Sequence, residues 1–273
     1  MISEMFWNRL FKPFDYTLHA ALISDIGKKR VENQDNFCFD TFINVNKAKS
    51  VRLKSQNFAL PEAYAIMDGM GGEKLGAQAS LEAAGFFSSV YKEILSDLNT
   101  ADNKRKERIF EDLVYTLNER IRKMAREQGV RRSGTTLAAI FFMEKKAYVL
   151  SVGDSEVFLI REGQIYRLNK LDSMTITVDD ENGGQRKIKG GLSQFLGMDT
   201  EEYGFHLNIK ELELENKDSF LICSDGLTDY VGNAEIAEIV CEYELMDSIK
   251  TLLGLAMERG GKDNTTILRV DVS

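Results

Sequence analysis

Histidine is nearly missing from this chain of 273 residues. There are two, His19 and His206, neither beside the other nor beside a cysteine at ligand spacing. A zinc site built on several imidazoles is therefore excluded, and a Ser-His-Asp hydrolase would have only two bases to draw on. No G-x-S-x-G elbow supports such a hydrolase either. Cysteine is scarce too. Cys38, Cys223 and Cys241 are odd in number and far apart, which excludes a disulfide framework and reads as buried thiols in a reducing compartment. No apolar run approaches the roughly 18 residues of a membrane span. The N-terminal MISEMFWNRLFKPFDY lacks the long apolar core and small-residue cleavage site of a signal peptide, so cytoplasm is the expectation. Basic charge is short as well: 35 Lys and Arg stand against 43 Asp and Glu, a net charge of −8. That balance argues against a dedicated nucleic-acid binder, whose affinity comes mostly from neutralising phosphates.

What is present is ordinary for a globular protein, 43% apolar and 29% charged residues in a length able to bury a large core. Short apolar or alternating runs predict strands at Leu18 to Ser24, Asn36 to Phe42 and Ala63 to Met67. Apolar residues every three or four positions predict helices over Leu75 to Leu98 and Arg105 to Gln128. LAAIFFM, AYVLSV, EVFLI and QIYRL then read as a meander of antiparallel strands, because connections so short leave no room for a crossover. The polar, glycine-rich stretch from Asp172 to Gly197 shows no period and reads as a mobile surface loop. A strand at SFLICS, helices over Ala234 to Glu242 and Leu245 to Glu258, and a last strand at TTILRV complete the pattern. The order suggests one α+β domain of mainly antiparallel sheets with helices packed outside.

Aspartates fall at the ends of the strand-like runs. Asp35 precedes one, Asp68 follows AYAIM, Asp154 follows VLSVG, Asp225 follows FLICS, and Asp263 stands just before the last. Any single Asp-Gly or Gly-Asp is most simply a turn. As a set they resist that reading: DGMGG and SDGLTD lead towards helices rather than second hairpin strands, and a carboxylate beside a buried run is costly without a cation or hydrogen bonds. Several carboxylates with few histidines suit a hard divalent ion such as Mg²⁺ or Mn²⁺.

From SDIGKKRVENQDNF through AIMDGMGG, SGTTLAAIFF, VLSVGDS, GGLSQFLG and FLICSDGLTD to KDNTTILRV, the chain resembles the metal-dependent protein serine/threonine phosphatases, the type 2C or PPM family, in its bacterial form. The match covers residues 18 to 272, which sets 1–17 apart as an extension and 18–273 as one catalytic domain. The resemblance implies two antiparallel β-sheets packed as a sandwich with helices on both sides. It also implies Mn²⁺ or Mg²⁺, two ions per site, with Asp68 between them, the Gly69 carbonyl on one, and Asp225 and Asp263 on the other. Asp35 would hold water from behind, and Asp154 with Asp225 and Asp229 would form a looser third site. Arg30 matches the phosphate-binding arginine, a role that suits a planar guanidinium. The implied reaction is direct attack of a metal-bridging hydroxide on phosphoserine or phosphothreonine of a protein, the substrate of some serine/threonine kinase.

Three positions depart from the family pattern. Met70 stands where eukaryotic members place a protonating histidine, Glu156 where arginine is common, and Asp-Ser-Met at 172–174 where Asp-His-Ser is usual. A catalytically weak binding module and a phosphoesterase for small molecules stay open as alternatives. The N-terminal segment, with the chain's single tryptophan, Trp7, reads either as a docking element for a partner or membrane surface or as a piece packed on its own domain.

Overall fold

The run LAAIFFM is apolar without alternation because both faces of its strand are covered. In the computed structural model, Leu137–Met143 is a strand with every residue buried. Ala138, Ile140 and Phe142 point into one core, while Leu137, Ala139, Phe141 and Met143 point into another. The structure describes residues 16–46, 50–70, 75–130, 133–179, 185–200 and 205–273. Most of the 1–17 extension, and Gly71 and Gly72 of the DGMGG motif, lie outside the described residues.

Two antiparallel sheets stack face to face. The first runs, in spatial order, β3 (Ser50–Ala59), β1 (Thr17–Asp25), β14 (Thr265–Val272), β13 (Ser219–Cys223), β8 (Glu156–Arg161) and β9 (Gln164–Arg167). The second runs β12 (Asn208–Glu213), β7 (Lys146–Val152), β6 (Leu137–Met143), β4 (Glu62–Met70) and β2 (Asp35–Phe39), with the short β5 (Gly134–Thr135) pairing the end of β4. Helices α1 (Gly76–Thr100) and α2 (Asn103–Glu127) cover the outer face of the second sheet. Beyond the short α3 (Asp225–Thr228), helices α4 (Asn233–Glu242) and α5 (Leu245–Glu258) cover the first. The result is the four-layer sandwich that the resemblance implies.

Phe142 and Phe220 join the sheets across the central core, their rings 5.2 Å apart and edge to face, with Tyr64 on the other side of Phe142 at 6.2 Å. Phe142→Ala removes that packing, and denaturant titration should show a loss of about 3–5 kcal/mol. On the outer side, α2 begins at Asp102, whose side chain accepts the Arg105 amide at 2.8 Å, satisfying one of the donors a helix start leaves open.

Four expectations need correction. The meander is two hairpins, not one: β6–β7 belongs to the second sheet and β8–β9 to the first, and the chain changes sheets at Gly153–Asp154–Ser155. The stretch read as a mobile loop contains a hairpin, β10 (Ser173–Asp179) and β11 (Gln185–Leu192), which pair only with each other. Its alternation is hidden because Met174 and Ile176 face solvent instead of a core. Asp35 and Asp68 lie inside the ends of β2 and β4, not beyond them. Finally, Cys38 and Cys223 are buried as expected, but Cys241 is exposed; all three are free thiols.

Candidate metal centre at one end of the sandwich

Antiparallel register decides which strand ends meet. The pairings Asp25↔Thr265, Cys223↔Ile267 and Cys223↔Glu156 put the ends of β1 and β13 beside the starts of β14 and β8. On the other sheet, Leu137↔Val152 and Asp35↔Asp68 do the same for β6, β7, β2 and β4. Asp35, Asp68, Asp154, Asp225 and Asp263 therefore share one end of the sandwich. Asp35 and Asp68 are directly opposite on neighbouring strands, where like charges repel unless something compensates.

The carboxylate of Asp35 is buried, and only one of its oxygens is satisfied. Oδ2 accepts the hydroxyls of Ser224 and Thr266, each at 2.7 Å. Oδ1 is buried with no hydrogen-bond partner among the described residues. Burial raises the carboxyl to about 7 despite the two hydroxyls, and the charges of Asp225 and Asp263 add to the rise. Asp68 is pushed well above the usual carboxylate range, first by burial and then by the charges of Asp35, Asp225, Asp154 and Asp263. An acidic set that raises its own members in this way is held against its repulsion by the fold.

Backbone geometry fixes Asp68. Its amide donates to the Thr136 hydroxyl at 2.9 Å, and its carbonyl accepts the Thr135 hydroxyl and the Thr136 amide, each at 2.8 Å. This is what the Gly-Thr-Thr motif does. Gly69 follows at a point of very close approach: a Cβ there would lie 2.2 Å from the Gly76 carbonyl oxygen and 2.7 Å from that of Gln34. Gly226 is under the same constraint, since a Cβ would meet the Asn264 carbonyl at 2.0 Å and push α3, with Asp225, away from β14.

Arg30 is exposed and bound to Asp263, Nε donating to Oδ1 at 2.8 Å and Nη2 to Oδ2 at 2.6 Å. This bidentate pair raises the guanidinium pKa, and the charges of Asp68 and Asp225 also favour its protonated form. Asn264 pins the loop that carries Arg30. Its Oδ1 accepts the Gln34 amide at 2.8 Å, and its Nδ2 donates to the carbonyls of Ile26 and Glu32 at 2.8 and 3.1 Å. Asp229 is exposed at the end of α3, its amide donating to the Asp225 carbonyl at 2.9 Å. Neither histidine joins the site: His19 reaches the Ser273 hydroxyl, and His206 is exposed on another segment. Glu156, the charge reversal seen in the sequence, is buried and ion-paired with Arg167 at 2.5 Å, so its compensation is local packing on β9.

The donor set suits a hard divalent cation, being carboxylates without imidazole or thiolate. The buried Oδ1 of Asp35, without a hydrogen-bond partner among the described residues, points the same way. Among the described residues, no three ligand-type side chains yet close on a common point; Asp263 is turned towards Arg30 instead.

Sequence reasoning missed the neutral supports of this centre, Ser224, Thr266, Thr135, Thr136 and Asn264. They lie within the matched motifs but carry no charge pattern that marks them. The arrangement, a carboxylate-lined end of a four-layer αββα sandwich with an arginine at its rim, is that of a metal-assisted phosphoester hydrolase fold. A sequence model of protein phosphatase 2C matches residues 51–254, and the chain belongs to that family. Protein phosphatase PhpP of Streptococcus pneumoniae serotype 2 (strain D39) is 26% identical over 265 residues, covering 94% of this chain and 98% of that one. Serine/threonine phosphatase stp of Listeria innocua is 28% identical over 262 residues, covering 93% and 96%. Among solved structures, the catalytic domain of the serine threonine protein phosphatase PstP in complex with two manganese ions superposes with a TM-score of 0.71. It is 24% identical and covers 94% of this chain and 99% of that one.

Proposed function

We propose that this chain removes phosphate from phosphoserine and phosphothreonine in proteins, with Mn²⁺ or Mg²⁺ held by the carboxylates at the end of the sandwich. The observation that carries the reading is Asp35 facing Asp68 across neighbouring strands, with the charges of Asp154, Asp225 and Asp263 acting on Asp68. Asp68, the Gly69 carbonyl, Asp225 and Asp263 would hold two ions, and Asp154 with Asp225 and Asp229 would hold a third. When bound, the ions supply charge neutralisation and a water acidified to near neutral pH.

The remaining roles belong to the chain's own groups. Ser224 and Thr266 lock one oxygen of Asp35, so the other is aimed and free to accept a water proton. Arg30 holds non-bridging phosphate oxygens through its planar fork, and Asp263 sets the plane of that fork. Met70 has no proton to give, so the leaving oxygen draws on solvent or another acid. The domain carrying this chemistry runs over residues 18–273. The substrate is the product of a serine/threonine kinase, and the β10–β11 hairpin is where preference among phosphoproteins resides. Two buried free thiols agree with a cytoplasmic setting.

The test is hydrolysis of a phosphothreonine peptide and of an aryl phosphate, with Mn²⁺ and with chelator, by the wild type and Asp225→Asn. Peptide turnover should require Mn²⁺ and fall on the order of 10²-fold or more in the variant. Full activity in chelator contradicts the metal requirement. Activity on the aryl phosphate alone favours a small-molecule esterase, and inactivity on both substrates with metal bound favours a binding module.

A further inference from the structure

Arg30 sits at the tip of the loop between β1 and β2, where Lys28, Lys29, Arg30 and Val31 are all exposed. Val31, its neighbour, is 78% exposed although apolar. A tip without a buried side chain takes its position from the base of its loop. That base rests on the short turn before β14, residues 261–264. Gly27 lies so close to the turn that a Cβ would meet the Asp263 carbonyl oxygen at 2.3 Å. The next amide, of Lys28, donates to the Gly261 carbonyl at 2.7 Å.

Asn264 supplies the rest of the grip. Its side chain is buried, and it holds the loop at Ile26 before Arg30 and at Glu32 and Gln34 after it. Both amide protons and the amide oxygen are engaged, so a flipped amide would set its oxygen against two carbonyls. The Asn264 backbone amide also donates to Oδ1 of Asp263 at 2.8 Å, the oxygen that takes Nε of Arg30. One uncharged residue thus fixes the backbone on both sides of Arg30 and bonds the carboxylate that orients its guanidinium.

We propose that Asn264 is a positioning residue for phosphate: by clamping the loop on both sides of Arg30, it sets the affinity of the rim for the phosphoryl group without touching it. The inference rests on the reading of Arg30 as the phosphate-binding group. A guanidinium on a loosened loop must be ordered each time phosphate binds, and that ordering subtracts from affinity. Loss of the Asn264 side chain therefore acts on KM and on inhibition by product phosphate more than on kcat.

A double-mutant cycle of Asn264→Ala and Arg30→Ala in the full chain tests this, with inorganic phosphate as the probe. Inhibition of phosphothreonine-peptide hydrolysis by phosphate is measured in saturating Mn²⁺, together with KM, kcat, Tm and Mn²⁺ affinity by calorimetry. Arg30→Ala should weaken phosphate inhibition on the order of 10²-fold, and Asn264→Ala about tenfold. In the double variant, Asn264→Ala should add less than about twofold, while its lowering of Tm stays as large as in the wild-type background. Mn²⁺ affinity should not change. Should Asn264→Ala fail to fold, the neutral Asn264→Ser repeats the cycle. Equal losses of phosphate affinity in both backgrounds mark a merely structural role and overturn the proposal. So does weakened Mn²⁺ binding, which would place Asn264 in the service of the metal. Phosphate inhibition unmoved by Asn264→Ala but lost in Arg30→Ala overturns the proposal alone. Inhibition unmoved by Arg30→Ala overturns the reading of Arg30, and the proposal with it.

Discussion

Asp68→Asn lowers turnover of a phosphothreonine peptide on the order of 10³-fold or more, and it makes the metal-free protein more stable. Both effects come from the same place. Asp68 faces Asp35 on the next strand and feels Asp154, Asp225 and Asp263, and these repulsions outweigh the attraction of Arg30. An amide of the same shape removes that repulsion, and chelated protein at about pH 8 should gain roughly 1–2 kcal/mol in urea titration. In the proposed centre the amide would also remove a ligand of the ions, so they would no longer be held together. Loss of activity with loss of fold would be uninformative for most mutants; here the account requires opposite signs. A variant that keeps its activity, or that is less stable than the wild type in chelator, contradicts it.

The second large effect is on stability against pH. In the native protein without metal, Asp35 is raised from 3.8 to about 7, and Asp68 is raised as well. Groups raised on folding bind protons more tightly in the native state than in the unfolded chain. Their contribution is fully present below the unfolded value, near 4, and is lost as pH climbs through about 7. Chelated protein should therefore lose on the order of 3–4 kcal/mol from Asp35 between about pH 4 and pH 8, and Asp35→Asn should remove most of that slope. Added Mn²⁺ acts in the opposite sense. It binds the ionised carboxylates, so the stabilisation it gives grows with pH. Urea titrations at the two pH values, with metal and with chelator, read both slopes. A wild-type slope equal to that of Asp35→Asn contradicts the assignment of the buried carboxyl.

Much of this centre is legible in the sequence, for a physical reason. Buried strands make continuous apolar runs, and a charged residue that interrupts one at its end stands out. Asp35, Asp68, Asp154, Asp225 and Asp263 are therefore visible as a class before any coordinates, and the covered strand β6 and the amphipathic helices α1 and α2 are equally plain. Two of the edge strands are not. β3 and β12 close the free sides of the two sheets and carry SVRLKSQNFA and NIKELE, sequences whose charges guard an edge against further pairing. Those same charges erase the apolar signal. β10 and β11 escape for a related reason, since a hairpin with no sheet beside it has no buried face to pattern. The change of sheets at Gly153–Asp154–Ser155 is invisible because a three-residue connection within a sheet and one between sheets look alike. The grip of Asp263 on Arg30 joins residues 233 apart, and no local pattern announces a contact at that range.

The central claim is that the aspartates at one end of the sandwich hold divalent ions that the reaction needs. Anomalous diffraction at the manganese absorption edge, from crystals grown with Mn²⁺, tests it most directly. Two strong peaks should appear with Asp68 between them, one beside the Gly69 carbonyl and the other beside Asp225 and Asp263, with Arg30 at the rim. Manganese bound only elsewhere, in crystals of protein active on a phosphothreonine peptide, would contradict the account.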